Sequence, residues 1–368
     1  MSAGAGLLVR EEPGMMLQRE RYFLRSRPGG LRAAALVFAC VGILGAAWAP
    51  AGPPTDSAAP ALQVLARQFP TGTNLRRTAH FLVVYDTDHH WAEGRARLLE
   101  QAYSRFMRQM QAAGFDPRPP GEPLVAVCFR RHRDYLAYAR RTESTNLEGS
   151  GGYYSPATNR IVLYHGDTSP DLAPMRALVR QRRESIEGSG GPRTGALQDL
   201  DLVSRRYRAR AGRNNIAHTL HEAAHQLAFN SGVHPPGQAL PFWLTEGLAT
   251  AFETTNPAVP FGPGEVNRAR LRDLQAWTRG GRSLDLAELV TVLDPPAGTA
   301  EERAALYARS WGLFHFLFRR HRPALRVYMR AGGAAASPEQ IRRRFESAFG
   351  PVEQVEAQWV RFLGGLRH

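Results

Sequence analysis

The 368-residue chain contains no lysine, so all 47 of its basic side chains are arginines. Its formal net charge is +14. A surface selected for binding nucleic acid is expected to use lysine as well as arginine and to gather the charge into a stripe, whereas these arginines are spread along the whole sequence. We therefore expect no nucleic-acid partner. Two interpretations of the charge stay open, a compositional bias and a basic face that rests on anionic lipid.

Cysteine is almost absent as well. Cys40 lies in an apolar segment and Cys128 lies in a second apolar run far along the chain. The topology predicted below keeps these two residues apart, which excludes a disulfide framework. A stabilising cross-link in this protein would have to come from another source, such as a metal ion.

One long apolar run stands near the N-terminus. Residues 33–49, "AAALVFACVGILGAAWA", are apolar or small and follow several arginines. A run of this length is at the lower limit for a membrane-spanning helix, and the preceding positive charge predicts that the rest of the chain lies outside the cytoplasm. We expect a basic cytoplasmic region at 1–32, an anchor or signal segment at 33–49 and a linker at 50–73. Retention as an anchor and secretion after cleavage near Ala49 to Ala51 both stay open.

The folded part is expected to begin near residue 74 with alternating strand and helix signals. Runs rich in β-branched and aromatic residues predict strands, and apolar residues at helical spacing predict helices. The predicted strands are 80–87 and 123–129 with a hairpin over 152–164, and the predicted helices between them are 91–114 and 131–141.

Residues 166–213 interrupt this alternation. Two amphipathic pieces near 171–185 and 197–210 flank a segment in which no regular structure is expected. The interruption is either a tolerated surface insertion or a lid over a cleft.

Residues from 214 onward are predicted to be almost wholly helical. The expected helices are 214–230, 243–253, 265–279, 301–321, 337–349 and 351–366. The predicted fold class is therefore α+β, with a mixed sheet-and-helix subdomain at 74–235 and a mainly helical subdomain at 236–368.

The first chemical motif is "HEAAHQ" at 221–226. We expect Asn214 or Asn215 to cap the start of its helix. Side chains four positions apart on a helix lie about 40° apart around the axis and about 6 Å along it, so His221 and His225 can bind one ion. Glu222 is rotated about 100° from His221 and would stand beside that ion, where a base acting on a water molecule belongs.

The second motif is "WLTEGLATAFE" at 243–253. Glu246 is the first acidic residue of this predicted helix. If the helix folds back toward the first motif, its carboxylate joins the two imidazoles in a three-ligand site with an open position for water. Nitrogen-rich sites of this kind favour zinc, and we expect one Zn²⁺ ion.

The two motifs together resemble the gluzincin clan of zinc metallopeptidases. The helical remainder, including "YARSWGLFHFL" at 307–317, is similar to the peptidase-MA type and to an uncharacterised family of such domains common in planctomycete bacteria. The resemblance implies a zincin-like fold with the active-site helix at the seam of the subdomains. It also implies that His221, His225 and Glu246 bind zinc and that Glu222 is the general base.

Other site residues are expected with less specific signals. An additional donor to the oxyanion would come from Tyr307, as in related enzymes, or from Tyr153 or Tyr154. Thr250 or Glu253 can anchor a ligand histidine, and His218 is expected to line the cleft. The segment "GGYYS" at 151–155 replaces the G-x-M-E-N element of the aminopeptidase branch, so recognition of a free substrate amino terminus is not expected.

These features predict an exported or membrane-anchored zinc metallopeptidase that acts on a peptide or protein substrate outside the cytoplasm. The alternative is a non-catalytic extracytoplasmic binding module that zinc stabilises.

Overall fold

The structure is a computed structural model. It describes residues 69, 72–143, 147–188, 194–235, 240–296, 298–331 and 337–366. The predicted N-terminal region at 1–32, the anchor or signal at 33–49 and nearly all of the linker at 50–73 lie outside the described residues. Within the described ranges, none of the helices is both long and apolar enough to cross a membrane.

A mixed five-stranded sheet forms the first part of the fold. Its strands are β1 (Asn74–Arg77), β2 (Phe81–Tyr85), β3 (Leu124–Phe129), β4 (Gly152–Ser155) and β5 (Arg160–Tyr164). They lie in the order β1-β2-β3-β5-β4. The three central strands are parallel, and the two edge strands are antiparallel to their neighbours. The strands predicted at 80–87 and 123–129 and the hairpin over 152–164 are confirmed.

The sheet is buried on both faces. Successive side chains of a strand point to opposite faces, and the strands divide their residues between two clusters of buried side chains accordingly. Phe81, Val83 and Ala126 belong to the larger cluster, which includes residues of the helical part. Leu82 and Val84 belong to the smaller cluster on the other face. Burial on both faces explains why the central strands appear in the sequence as continuous apolar runs.

The remaining regular structure is helical. The helices are α1 (His89–Ala112), α2 (His132–Thr142), α3 (Ala173–Gly188), α4 (Thr194–Asn230), α5 (Phe242–Ala251), α6 (Arg268–Arg279), α7 (Leu286–Leu289), α8 (Ala300–Arg320), α9 (Arg322–Ala331), α10 (Pro338–Phe349) and α11 (Val352–Gly364). The predicted α+β class is confirmed. The division into subdomains at 235 and 236 stays a prediction.

One predicted boundary is wrong. The pieces expected at 197–210 and 214–230 form a single helix, α4, so neither Asn214 nor Asn215 caps a helix start. The Asn215 side chain instead donates to the carbonyl of Tyr164 at 3.0 Å and accepts from Arg95 at 3.3 Å. These tertiary hydrogen bonds hold the chain helical at residues whose intrinsic helix propensity is low.

Three elements were not predicted. β1 carries the sequence NLRR with all four residues exposed, so no apolar alternation marks it. α7 has only four residues, and α9 follows α8 after the single residue His321. β1 and α7 are too short to show a clear local pattern. α9 has ten residues with Leu325, Tyr328 and Met329 buried at helical spacing, so its pattern was present in the sequence and was missed.

Candidate metal centre

The C-terminal half of α4 carries the first motif against the sheet. Ala223, Leu227 and Ala228 are buried in the main core, where small side chains allow the helix to approach its neighbours closely. The Gln226 amide donates to the carbonyls of Val125 at 3.1 Å and Asn159 at 2.9 Å. These contacts fix the rotation of α4 about its axis and therefore the direction of His221, Glu222 and His225.

α5 carries the third candidate ligand, and a glycine sets its depth. Glu246 is fully buried, and Gly247 follows it on the face packed against α8. A Cβ atom at Gly247 would lie 2.6 Å from both the Ser310 carbonyl oxygen and Phe314 Cβ, closer than non-bonded atoms can approach. The absence of a side chain at Gly247 therefore permits the close contact of α5 with α8.

The structure brings His221, His225 and Glu246 together, and we call these three residues the triad. The two Nε2 atoms lie 3.1 Å apart. The carboxylate oxygens of Glu246 lie 3.1 Å from His221 Nε2 and 3.3 Å from His225 Nε2. Donor atoms in a tetrahedral zinc site with bonds of 2.0–2.1 Å are about 3.3 Å apart. The spacing and the donor types therefore fit a metal ion, and this buried group could bind one.

Interactions among the triad side chains shift the pKa values of His221 and Glu246. Burial alone would raise the pKa of Glu246, but the charge of His225 and the hydrogen bonds of both imidazoles hold it well below its usual value. Burial alone would lower the pKa of His221, but hydrogen bonds to Glu246 and Glu253 outweigh burial and raise it to about 9. The two carboxylates thus favour the protonated form of His221, and the imidazoles favour the ionised form of Glu246.

A carboxylate anchors the Nδ1 atom of His221. Of the two candidates, Glu253 has this role, since its Oε1 accepts from His221 Nδ1 at 2.9 Å. The Thr250 hydroxyl instead donates to the Glu246 carbonyl of its own helix at 2.6 Å. A carboxylate on Nδ1 fixes the tautomer of a ligand histidine. Nε2 of His221 is therefore the nitrogen that faces His225 and Glu246.

Glu222 lies beside the triad and is not one of its members. Its side chain is buried, and burial raises the pKa of the carboxyl group. The backbone N–H of Tyr154 on β4 is a hydrogen-bond donor to this carboxyl group. The Oε1 atom of Glu222 is buried and has no hydrogen-bond partner among the described residues. A buried carboxyl oxygen without a hydrogen-bond donor is costly, so this oxygen is suited to accept a hydrogen bond from a water molecule.

The tyrosines expected to act as donors differ in position. Tyr307 on α8 is buried, and its ring lies edge-on to His221 with centroids 6.3 Å apart. Tyr153 belongs to the cluster on the opposite face of the sheet, where its hydroxyl is 3.3 Å from Thr142 Oγ1. The Tyr154 hydroxyl donates to Asn159 at 3.0 Å. Tyr307 is therefore the one of the three that borders a triad residue, and its role stays a prediction.

Two more histidines lie near the triad. His218 packs against Gly151, where a Cβ atom would overlap its ring. His234, which the sequence places in a loop, is fully buried, and neither of its ring nitrogens has a partner in the part of the chain that is described. Burial, followed by the charge of His225, lowers the pKa of His234 to about 3. Loop composition gave no signal for such a buried histidine.

Comparisons with known proteins cover part of this region. The model of a family described as "Protein of unknown function (DUF1570)" matches residues 215–337. The matched range contains the triad, Glu222 and Tyr307, and its function is unknown. A comparison with curated proteins found no match. The comparisons and the geometry together give a possible metal-binding triad within a region of unknown function.

Proposed function

We propose that this protein is a zinc-dependent metallopeptidase that hydrolyses peptide bonds in a peptide or protein substrate. The observation that supports this most is the position of Glu222. Its carboxyl group interacts electrostatically with all three residues of the triad, and one of its oxygens is buried with no hydrogen-bond partner among the described residues. A purely structural metal site has no use for such a group, whereas hydrolysis needs a base at this position.

The donor set favours zinc. Two neutral imidazoles and one carboxylate are the ligands of catalytic zinc sites that keep a further position for water. A bound zinc ion would lower the pKa of a water molecule and polarise a substrate carbonyl. This composition also agrees with the gluzincin resemblance of the two motifs.

The residues of the chain then have distinct tasks. Glu222 accepts a proton from the water molecule and delivers it to the leaving nitrogen, a function for which a raised carboxyl pKa is suitable. The Tyr154 backbone N–H is a hydrogen-bond donor to the same carboxyl group. Tyr307, which borders His221, is our candidate donor to the oxyanion of the substrate.

We also propose that the reaction takes place outside the cytoplasm. The support is the apolar segment at 33–49, which follows an arginine-containing N-terminal region. Anchoring by this segment and release after cleavage near Ala49 to Ala51 both agree with that location.

The test is a peptidase assay on the full chain with a peptide library. We expect cleavage that chelation abolishes and zinc restores. Glu222→Gln should lower the rate by at least about 100-fold while zinc content stays near one ion per chain. Glu143→Gln is a matched control, because burial also raises the pKa of Glu143 and its side chain hydrogen-bonds to Ser155 and Thr142, which are not members of the triad. Full activity in Glu222→Gln would contradict the proposal.

A second candidate function is a non-catalytic module stabilised by zinc. The burial of the triad supports it, since His221 and Glu246 are 0% exposed and His225 is 4% exposed. In that case chelation would lower the melting temperature, His225→Ala would have the same effect, and no peptide in the library would be cleaved. The assay and the melting curve together distinguish the two functions.

A further inference from the structure

A buried arginine lies behind the anchor of His221. The guanidinium of Arg270, on α6, is a donor to both oxygens of Glu253. Its Nε atom lies 2.9 Å from Glu253 Oε2, and its Nη2 atom lies 2.8 Å from Glu253 Oε1. The side chains of Arg270 and Glu253 are 4% and 5% exposed. This is a bidentate ion pair removed from solvent.

α5 ends at Ala251, so Glu253 lies beyond the regular helix. The Glu253 backbone N–H still donates to the Thr250 carbonyl at 3.2 Å, so the arginine partner is needed to orient the carboxylate and not the backbone. Its Oε1 atom accepts from His221 Nδ1 at 2.9 Å and from Arg270 at once. The planar fork of an arginine holds a carboxylate in one plane. With that plane fixed, the oxygen points at His221.

α6 is itself attached to α5 at this place. Asn267 caps the start of α6, and its amide donates to the Thr250 carbonyl at 2.9 Å. The Arg270 guanidinium also lies over the Tyr307 ring, 5.5 Å from its centroid. Arg270 therefore contacts the anchor of His221 and the ring that borders His221.

We propose that Arg270 is a positioning residue of the metal centre, which acts through Glu253 to hold His221 ready for the ion. The hydrogen bonds from His221 to Glu253 and from Glu253 to Arg270 extend the metal centre into α6. The inference rests on the metal binding in the proposed function and not on peptide hydrolysis. It predicts that loss of the Arg270 guanidinium and its two hydrogen bonds to Glu253 weakens metal binding even when the protein remains folded.

The test measures the affinity of the full-length protein for Zn²⁺ by competition with a chromophoric chelator. Arg270→Met keeps an apolar stem of similar length and removes the fork. We expect it to weaken zinc binding by about 10- to 100-fold. Arg270→Lys restores the charge without two parallel hydrogen bonds, so its affinity should lie between those of Arg270→Met and the unchanged protein.

Arg309→Met is the matched control. Arg309 is another buried arginine in an ion pair, with Glu288 at 3.2 Å, and it donates to the Leu284 carbonyl. Glu288 is 53% exposed whereas Glu253 is 5% exposed, so the loss of Arg309 should lower the melting temperature less than the loss of Arg270, and it should change the zinc affinity by less than about 3-fold. Comparing zinc affinity with melting temperature in both variants separates positioning from general stability.

The double variant Arg270→Met with Glu253→Gln tests whether the arginine acts through the glutamate. Its zinc affinity should equal that of Glu253→Gln alone, because residues acting in one chain are not additive. Additive losses, or a folded Arg270→Met with unchanged affinity, would overturn the inference. If Arg270→Met does not fold, Arg270→Lys and Glu253→Gln carry the same comparison. A native protein that binds no zinc would instead refute the metal site of the proposed function.

Discussion

Buried histidines of this protein differ in what their ring nitrogens contact, and the difference sets their protonation. His221 has a carboxylate at each nitrogen, and its pKa is raised to about 9 although burial acts in the opposite direction. His315 on α8 is 2% exposed and donates from Nδ1 to the Pro263 carbonyl at 3.0 Å. Burial lowers the pKa of His315 to about 4, to which the charge of Arg319 contributes.

His315 should make the protein sensitive to acid. Its folded pKa of about 4 lies below the ordinary value of 6.5, so the unfolded chain binds more protons in this interval. The free energy of unfolding should therefore fall as the pH drops from 6.5 toward 4. His315→Gln keeps a hydrogen-bond donor for the Pro263 carbonyl but cannot titrate. Between pH 6.5 and 4.5 the free energy of unfolding of this variant should therefore fall by about 2 kcal/mol less than that of the native protein.

Urea unfolding at several pH values provides the measurement. Other histidines with a lowered pKa, including His218 and His234, are present in both proteins and cancel in the difference. Stability curves that run parallel for His315→Gln and the native protein would show that His315 is not the responsible group.

Single residues of the site were predictable to different degrees. His221, Glu222 and His225 follow from the i, i+4 geometry of one helix, and Glu246 follows from the second motif. Glu253 was one of two possible anchors. Arg270 could not be predicted, because its pairing with Glu253 depends on how α6 docks against α5, which no local spacing encodes.

Among the helices, the contact of α5 with α8 is the one that sets the depth of Glu246. Gly247 is required for it, because a Cβ atom there would clash with Ser310 and Phe314. Both helices contribute to the site, since Glu246 lies on α5 and Tyr307 lies on α8. Separation of the two helices would move Glu246 relative to the two imidazoles on α4.

Gly247→Ala should destabilise the protein by about 1–3 kcal/mol, since the added methyl group overpacks a close helix contact. The same exchange at Gly94 on α1, where a Cβ atom has open space, should stabilise it by about 0.5–1 kcal/mol through helix propensity. Both are measured by urea unfolding. Equal stabilisation by the two exchanges would mean that the α5 and α8 contact is not as close as described.

The length of α4 is the main feature of the helical part that the sequence did not predict. A helix start near residue 214 was expected because Asn214 or Asn215 could cap it. Hydrogen bonds from Arg95 to Asn215 and to Thr219, the second at 3.1 Å, cross from α1. Contacts between residues so distant in sequence override local preference, and they leave no signal in a single sequence.

In the molecule as a whole, the triad joins segments that are separated in the chain. α4 packs on the sheet and supplies two ligands, while α5 belongs to the helical part and supplies the third. The main cluster of buried side chains contains residues of the sheet, α4, α5 and α8. The α+β class was predictable from strand and helix periodicity. That ligands from α4 and α5 would meet was expected only from the two motifs.

The central claim is that His221, His225 and Glu246 bind one metal ion. Anomalous diffraction at the zinc absorption edge, on crystals of the zinc-loaded protein, tests it most directly. We predict one strong peak about 2.0–2.2 Å from both Nε2 atoms and from a Glu246 carboxylate oxygen, with Glu222 beside it but not bound to it. No peak among these three side chains, or a peak held by other residues, would contradict the account.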